Sequence, residues 1–187
     1  MFTDNRILLQ SSQELHKLIG MNIQKLIHEK YVFTPTCYGE VYLVINDKKY
    51  VLTDYYEKKD FLGCNEEISV LRFHEYTGEI KSIIVNGELT TQNIDLKISK
   101  ITFVNTKSIV TNKNDPKDED ILLDTHGIIF TLEDDYQLAF EKDDFGEQIS
   151  IYRGYNLKDK FKFIPSNFIE NINENYNANC ELEFIDL

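Results

Sequence analysis

Apolar residues alternate with polar ones along most of this chain, which predicts β-strands. From Met21 onward the apolar positions recur at every second residue, as in Val41, Leu43 and Ile45. Successive side chains of a strand point to opposite faces of its sheet, so this period is the one a strand requires. Residues 181–185, near the other end of the chain, show the same alternation. Strands of this kind joined by short turns are typical of antiparallel sheets.

Two segments have a helical pattern instead. Residues 11–19 begin with two serines that suit an N-cap and place Leu15, Leu18 and Ile19 at positions i, i+3 and i+4. Residues 166–172 follow Pro165, and proline suits the first turn of a helix. The pattern therefore predicts an α+β fold that is mostly antiparallel strand, with a short N-terminal helix and a C-terminal helix.

The strand pattern occurs twice in the chain. Residues 42–52 followed by 68–72 match residues 128–138 followed by 149–153, and residues 21–26 resemble residues 96–101 in class. This repeat predicts two tandem β-rich copies, residues 1–93 and 94–187, related by a pseudo-twofold axis. A copy this short would bury too little surface alone, so we expect the two to pack together, either as two small domains or as one fused domain.

Three polar segments predict the connections between strands. Residues 46–49 and Glu133–Asp135 are expected to form hairpin turns, because short amide and acidic side chains can bond their own backbone. Residues 106–120 are polar and contain Pro116, which predicts an exposed loop gained by the second copy.

Charge favours a basic protein as the partner. The net charge is −12, and residues 94–187 carry 19 acidic and 10 basic side chains. This sign disfavours nucleic acid, whose phosphates need clustered Lys and Arg, and it speeds encounter with a basic protein. The predicted partner-binding surface is made of the acidic residues of the second copy and one outward tyrosine: Asp115, Asp118, Glu119, Asp120, Glu133, Asp134, Asp135, Glu141, Asp143, Asp144 and Tyr56.

Motifs for catalysis, metals and cofactors are missing from the sequence. The four histidines lie in no recognisable pattern, and neither Gly-x-Ser-x-Gly, Cys-x-x-Cys nor a glycine-rich phosphate loop occurs. The three cysteines are widely spaced, which suits reduced thiols. With no apolar run near the roughly 20 residues of a membrane helix and no signal-peptide pattern, we expect a cytoplasmic protein without enzymatic activity, metal or cofactor.

In its small size, its acidity and its lack of catalytic motifs, the chain resembles the immunity proteins of bacterial contact-dependent and other polymorphic toxin systems. The resemblance implies an inhibitor whose acidic surface covers a basic toxin, commonly a nuclease. A second interpretation is a small-ligand-binding or structural domain with a Tyr- and Phe-lined groove between the copies. An enzyme that uses scattered Asp, His and Cys residues is the third.

Overall fold

The computed structural model describes residues 2–7, 15–61, 64–84, 86–115, 117, 119–143, 147–161 and 176–187. These residues form a β fold in which almost every neighbouring pair of strands is antiparallel. The strands among them are, in chain order, β1 Phe2–Asn5, β2 Asn22–Glu29, β3 Tyr31–Phe33, β4 Thr36–Tyr38, β5 Val41–Ile45, β6 Lys48–Phe61, β7 Cys64–Glu75, β8 Leu89–Asn112, β9 Glu119–Leu132, β10 Gln137–Lys142, β11 Gln148–Gly154 and β12 Tyr176–Asp186.

The predicted α+β class is wrong, because the described structure is 69% strand and only 7% helical. Within the described residues the N-terminal helix is not formed: after a helical Leu15 and His16, residues 17–20 are turns closed by hydrogen bonds from Leu18 N to Leu15 O and from Met21 N to Leu18 O. A spacing of three suits consecutive tight turns as well as a helix, and both leucines are buried. Residues 8–14 of that region and the helix predicted over residues 166–172 lie outside the described residues.

One long strand, β8, belongs to two sheets. Its first part pairs with β2 and its second part with β9. The first sheet has the order β8-β2-β5-β6-β7, and the second has the order β8-β9-β10-β11-β4-β3. The strands that the sequence repeat matches therefore form two meanders of the same order, β2-β5-β6-β7 and β8-β9-β10-β11. In addition, β1 pairs with β9 in parallel and β12 pairs with β8.

The core lies between the two sheets. Phe73 on β7 contacts Phe130 on β9 with ring centroids 5.8 Å apart, and Phe130 in turn meets Phe140 on β10 at 6.0 Å. Leu43 and Ile101 belong to the same continuous buried cluster. Each meander thus covers the apolar face of the other.

We expect residues 1–93 to lack a cooperative melt when they are expressed alone. This fragment keeps the first meander but loses Phe130, Phe140 and all but the first residues of β8, so its inner face would be exposed to water. Circular dichroism during heating would show a broad change, against one sharp transition for the whole chain. A monomeric fragment with a sharp transition would show that the copies do not depend on each other.

Of the predicted connections, the hairpin turn after β5 is confirmed, and Asn46 and Asp47 both have positive φ values, 45° and 65°. Glu133–Asp135 form a single 3-10 turn between β9 and β10. The exposed loop predicted over residues 106–120 is wrong in extent. Strand β8 continues to Asn112 and β9 begins at Glu119, because the Ser, Thr, Ile and Val residues of this segment pair with β9 and β12. No described helix is long and apolar enough to cross a bilayer.

Candidate functional site

The acidic residues predicted as one partner-binding surface lie in several separate places. Asp115, Glu119 and Asp120 are at the tip of the β8–β9 hairpin, and Glu133–Asp135 follow the opposite end of β9. Strand β9 has 14 residues, so at about 3.4 Å per residue the two groups are roughly 45 Å apart. Asp118 and Asp144 lie outside the described residues.

Three more of the predicted residues differ in their surroundings. Glu141 on β10 is engaged within the protein: its Oε1 lies 3.0 Å from His126 Nε2, and its Oε2 accepts a 2.8 Å hydrogen bond from the Tyr152 hydroxyl. Tyr56 on β6 is 42% exposed. Asp143 lies directly after β10, and its charge acts on both Tyr56 and Asp54. Tyr56 and Asp143 therefore lie close together, near a cleft that the sequence did not indicate.

This cleft opens where the two sheets meet and has a volume of about 380 Å³. We call it the seam cleft. Its apolar and aromatic wall is formed by Tyr38, Tyr55, Ile83 and Ile84. Its polar floor and rim are formed by Gly39, Glu40, Thr53, Asp54 and Glu147. Tyr38 ends β4 of the second sheet, whereas Asp54 and Tyr55 lie on β6 of the first, so the cleft crosses the boundary between the sheets.

Backbone hydrogen bonds hold the cleft together. Glu147 N–H donates to the Asp54 carbonyl at 3.0 Å, and the Glu147 carbonyl accepts from Gly39 N–H at 2.7 Å. The Ile83 segment is fixed separately, because Ile83 N–H donates to the buried Glu29 carboxylate at 2.8 Å. Glu147 thus links β6 to the residue after β4, and the position of each wall is set by the main chain.

Gly39 is the position where a side chain would disturb this frame most. Its φ is +78°, and a Cβ there would lie 2.3 Å from Ile83 Cδ1. We expect Gly39→Ala to lower the free energy of unfolding by about 1–3 kcal/mol through backbone strain and displacement of Ile83. Gly20→Ala is the matched control, because its φ is +87° but nothing lies within 4 Å. Equal losses in the two variants, measured by urea unfolding, would remove the Ile83 contact as a cause.

Asp54 forms the floor of the seam cleft and is only 3% exposed. Its Oδ1 accepts a 2.6 Å hydrogen bond from Ser69 Oγ on β7. Its Oδ2 has no hydrogen-bond partner among the described residues, and neither has the Thr53 hydroxyl beside it. Burying a carboxylate oxygen without a partner is costly, so this arrangement needs an explanation.

A buried ion pair lies behind Asp54. Lys142 Nζ on β10 contacts Asp124 Oδ2 on β9 and donates to the Ser69 carbonyl on β7 at 2.5 Å, so Lys142 also joins the two sheets. The side chains of Lys142 and Asp124 are 6% and 5% exposed. The Lys142 charge acts on two carboxyl groups, those of Asp54 and Asp124. Arg72 also acts on Asp124 but is itself paired with Glu57. When both are ionised, the cluster has an excess negative charge, and Asp54 is the member that lines the cleft.

The protonation of Asp54 reflects this environment. Burial raises its pKa to about 6, although the Ser69 hydrogen bond and the Lys142 charge both lower it. The negative charges of Asp124 and Asp143 add to the increase. Burial also raises the pKa of Asp124. A group with such a strongly shifted pKa in a cleft is a candidate for a functional role.

The Glu133–Asp135 turn, which follows β9, is a weaker candidate for binding a basic partner. Asp135 lines a second open cleft together with Lys100, Gln137 and Tyr155, and Glu133 Oε1 lies 3.8 Å from Lys97 Nζ. Basic side chains therefore partly neutralise this acidic turn. Among the described residues, no three His, Cys, Asp or Glu side chains are grouped in a way that could hold a metal ion.

The alternation of inward and outward positions along β9 and β10 gives a sequence signal for the buried cluster. Lys142 continues the inward face of Leu138 and Phe140, and Asp124 shares a face with Leu122. A charged residue at an inward position of a strand is unusual and points to a buried partner.

Comparison with protein-family models, with curated proteins and with solved structures finds no match to this chain. The site must therefore be interpreted from its own chemistry.

Proposed function

We propose that this protein is a non-catalytic binding module that captures a basic protein, in the manner of the immunity proteins it resembles, and that the surface around the seam cleft makes the contact. The main support is the composition of that surface. Among the described residues nine large apolar or aromatic side chains are exposed, and four of them, Tyr38, Tyr55, Ile83 and Ile84, line this one cleft.

A cluster of exposed apolar side chains beside charged groups is typical of protein interfaces. Interface centres are rich in aromatic side chains and are surrounded by polar rims. Here the rim contributes carboxylates, from Glu40 and Glu147, and the floor contributes Asp54. A partner that presents basic groups would neutralise them, and the net charge of −12 would speed its approach.

The proteins encoded on either side of this gene are the first partners to test, because an inhibitor is expected beside its target. Each would be purified in an inactive form and titrated by calorimetry at low and at high salt. We expect a basic neighbour to bind, with an association rate that falls steeply as salt rises. No binding by either neighbour, or tight binding that salt leaves unchanged, would contradict the proposal.

The second candidate is a small-ligand site in the same cleft. Its volume of about 380 Å³ is within the range of small-molecule pockets, and two tyrosines line it. A sharp melting shift with an uncharged aromatic compound, together with no protein partner, would favour this reading.

A further inference from the structure

We infer that the seam cleft is an arginine-binding pocket, in which a guanidinium group from the partner lies over Asp54 between the tyrosine and isoleucine walls. This inference rests on the proposed function and specifies which group of a basic partner is recognised. The reasons are the charge of the floor, the side chains of the walls and the Asp54 oxygen that has no partner among the described residues.

The Asp54 carboxylate at the floor of the seam cleft favours the binding of a cation. The Lys142 ammonium near Asp54 is already engaged with Asp124 and the Ser69 carbonyl. Arg72, whose charge also acts on Asp124, is paired with Glu57. Within the described part of the chain, Asp54 Oδ2 has no hydrogen-bond donor, although it lies in a buried position where a donor stabilises a carboxylate. Glu40 and Glu147 at the rim add charge of the same sign. A cationic donor in the cleft would correct both deficits.

The walls favour arginine over lysine. Tyr38 and Tyr55 are 39% and 42% exposed, so both present ring surface at the cleft. A guanidinium group stacks on aromatic rings and is more weakly hydrated than an ammonium group. Ile83 and Ile84 supply apolar surface that the methylene stem of an arginine side chain can cover.

The test uses N-acetyl-arginine amide as the probe and the whole protein as the receptor. Binding is measured by calorimetry or by changes in amide chemical shifts. We expect millimolar binding at pH 7.5, at least tenfold weaker binding of the neutral isostere N-acetyl-citrulline amide, and weaker binding of N-acetyl-lysine amide. Equal affinity for the arginine and citrulline probes would overturn the inference. Equal affinity for lysine would overturn the assignment to guanidinium.

Two variants locate the binding site. Asp54→Asn and Glu147→Gln should each weaken the arginine probe, the first by at least tenfold, while Asp135→Asn in the distant turn should leave its affinity unchanged. Asp54→Asn retains a side-chain oxygen for Ser69, and Glu147→Gln retains the backbone links of the frame, so at least one variant remains folded. Unchanged affinity in both variants would place the probe elsewhere and end the inference.

The pH dependence gives an independent readout. Protonation of Asp54 removes the charge that attracts the probe, so the affinity should fall as pH decreases through about 6. One unit below that pKa, about one Asp54 in ten is ionised, so the affinity at pH 5 should be roughly tenfold lower than at pH 7.5. An affinity that does not change with pH would contradict a site built on this carboxyl group. The charged groups that act on Asp54 are Lys142, Asp124 and Asp143.

The inference and the proposed function can fail separately. If a neighbouring protein binds the wild type and Asp54→Asn equally well, the arginine pocket is wrong and the binding function stands. If the probe binds as expected but neither neighbour binds, the pocket stands and the proposed partner class is wrong.

Discussion

Replacing Lys142 with methionine is expected to lower the free energy of unfolding by about 3–5 kcal/mol at neutral pH, the usual cost of breaking a buried ion pair from one side. Methionine fills a similar volume, so the loss is electrostatic. Without the ammonium group, Asp124 and Asp54 would have to stay charged without a counter-ion or take up protons. The Ser69 carbonyl would also lose its donor. Urea unfolding at pH 7.5 measures the change directly.

Two controls make this result specific. Lys100→Met removes a half-exposed lysine that lies 3.3 Å from Asp186, and an exposed pair of this kind contributes at most about 1 kcal/mol. The loss from Lys142→Met should also shrink as pH falls, because burial raises the pKa of both carboxyl groups and their protonation removes the charge that Lys142 balances. Similar losses in the two variants, or a loss from Lys142→Met that does not depend on pH, would show that Lys142 is not the counter-ion of the cluster.

Asp54→Asn is expected to stabilise the protein at pH 8 and to have almost no effect at pH 4. The pKa of Asp54 is about 6 in the folded protein, against 3.8 for the free side chain. Between these values the folded state retains a proton that the unfolded state has lost, so wild-type stability decreases as pH rises. Above about pH 6 Asp54 is ionised in both states and the loss of stability is complete. A pKa shift of this size corresponds to about 3 kcal/mol of folding free energy.

Asparagine is never ionised and should avoid most of that cost. We therefore expect Asp54→Asn to raise the free energy of unfolding by about 1–3 kcal/mol at pH 8. Asp135→Asn is the matched control, because Asp135 is an exposed carboxylate in its turn, and it should change stability by less than about 0.5 kcal/mol. A variant that is less stable than wild type at pH 8 would mean that the Asp54 charge is compensated within the protein.

A residue that costs stability and lines a cleft is best explained by function, since proteins commonly sacrifice stability at their binding sites. Together the two variants separate the roles of the cluster. Lys142 is expected to stabilise the junction of the two sheets, whereas Asp54, which lines the cleft, is expected to reduce stability.

The strands could be predicted because alternation and turn chemistry are local. The Asn46-Asp47 turn and the repeated order of the meanders follow from residues close together in sequence. The N-terminal helix could not be distinguished from a series of turns, because Leu15 and Leu18 satisfy both patterns. The end of β8 up to Asn112 could not be predicted as a strand, because its pairing with β12, a distant part of the chain, does not show in local composition.

The site was harder to predict, for a different reason. Runs of acidic residues such as Glu133–Asp135 are conspicuous in sequence, but they occupy exposed turns at opposite ends of a long strand. The charges of the buried cluster, on Asp54, Asp124 and Lys142, are single residues on three different strands, and only the packing of one sheet on the other brings them together. The inward alternation identifies each as unusual but not as a neighbour of the others.

The most direct test is a carbon-detected NMR titration of the Asp54 carboxyl group, with and without N-acetyl-arginine amide. We expect a pKa of about 6 in the free protein and a clearly lower value with the probe bound, because a cation stabilises the ionised form. A pKa near the ordinary value in the free protein, or one that the probe leaves unchanged, would contradict a buried carboxylate that awaits a basic partner.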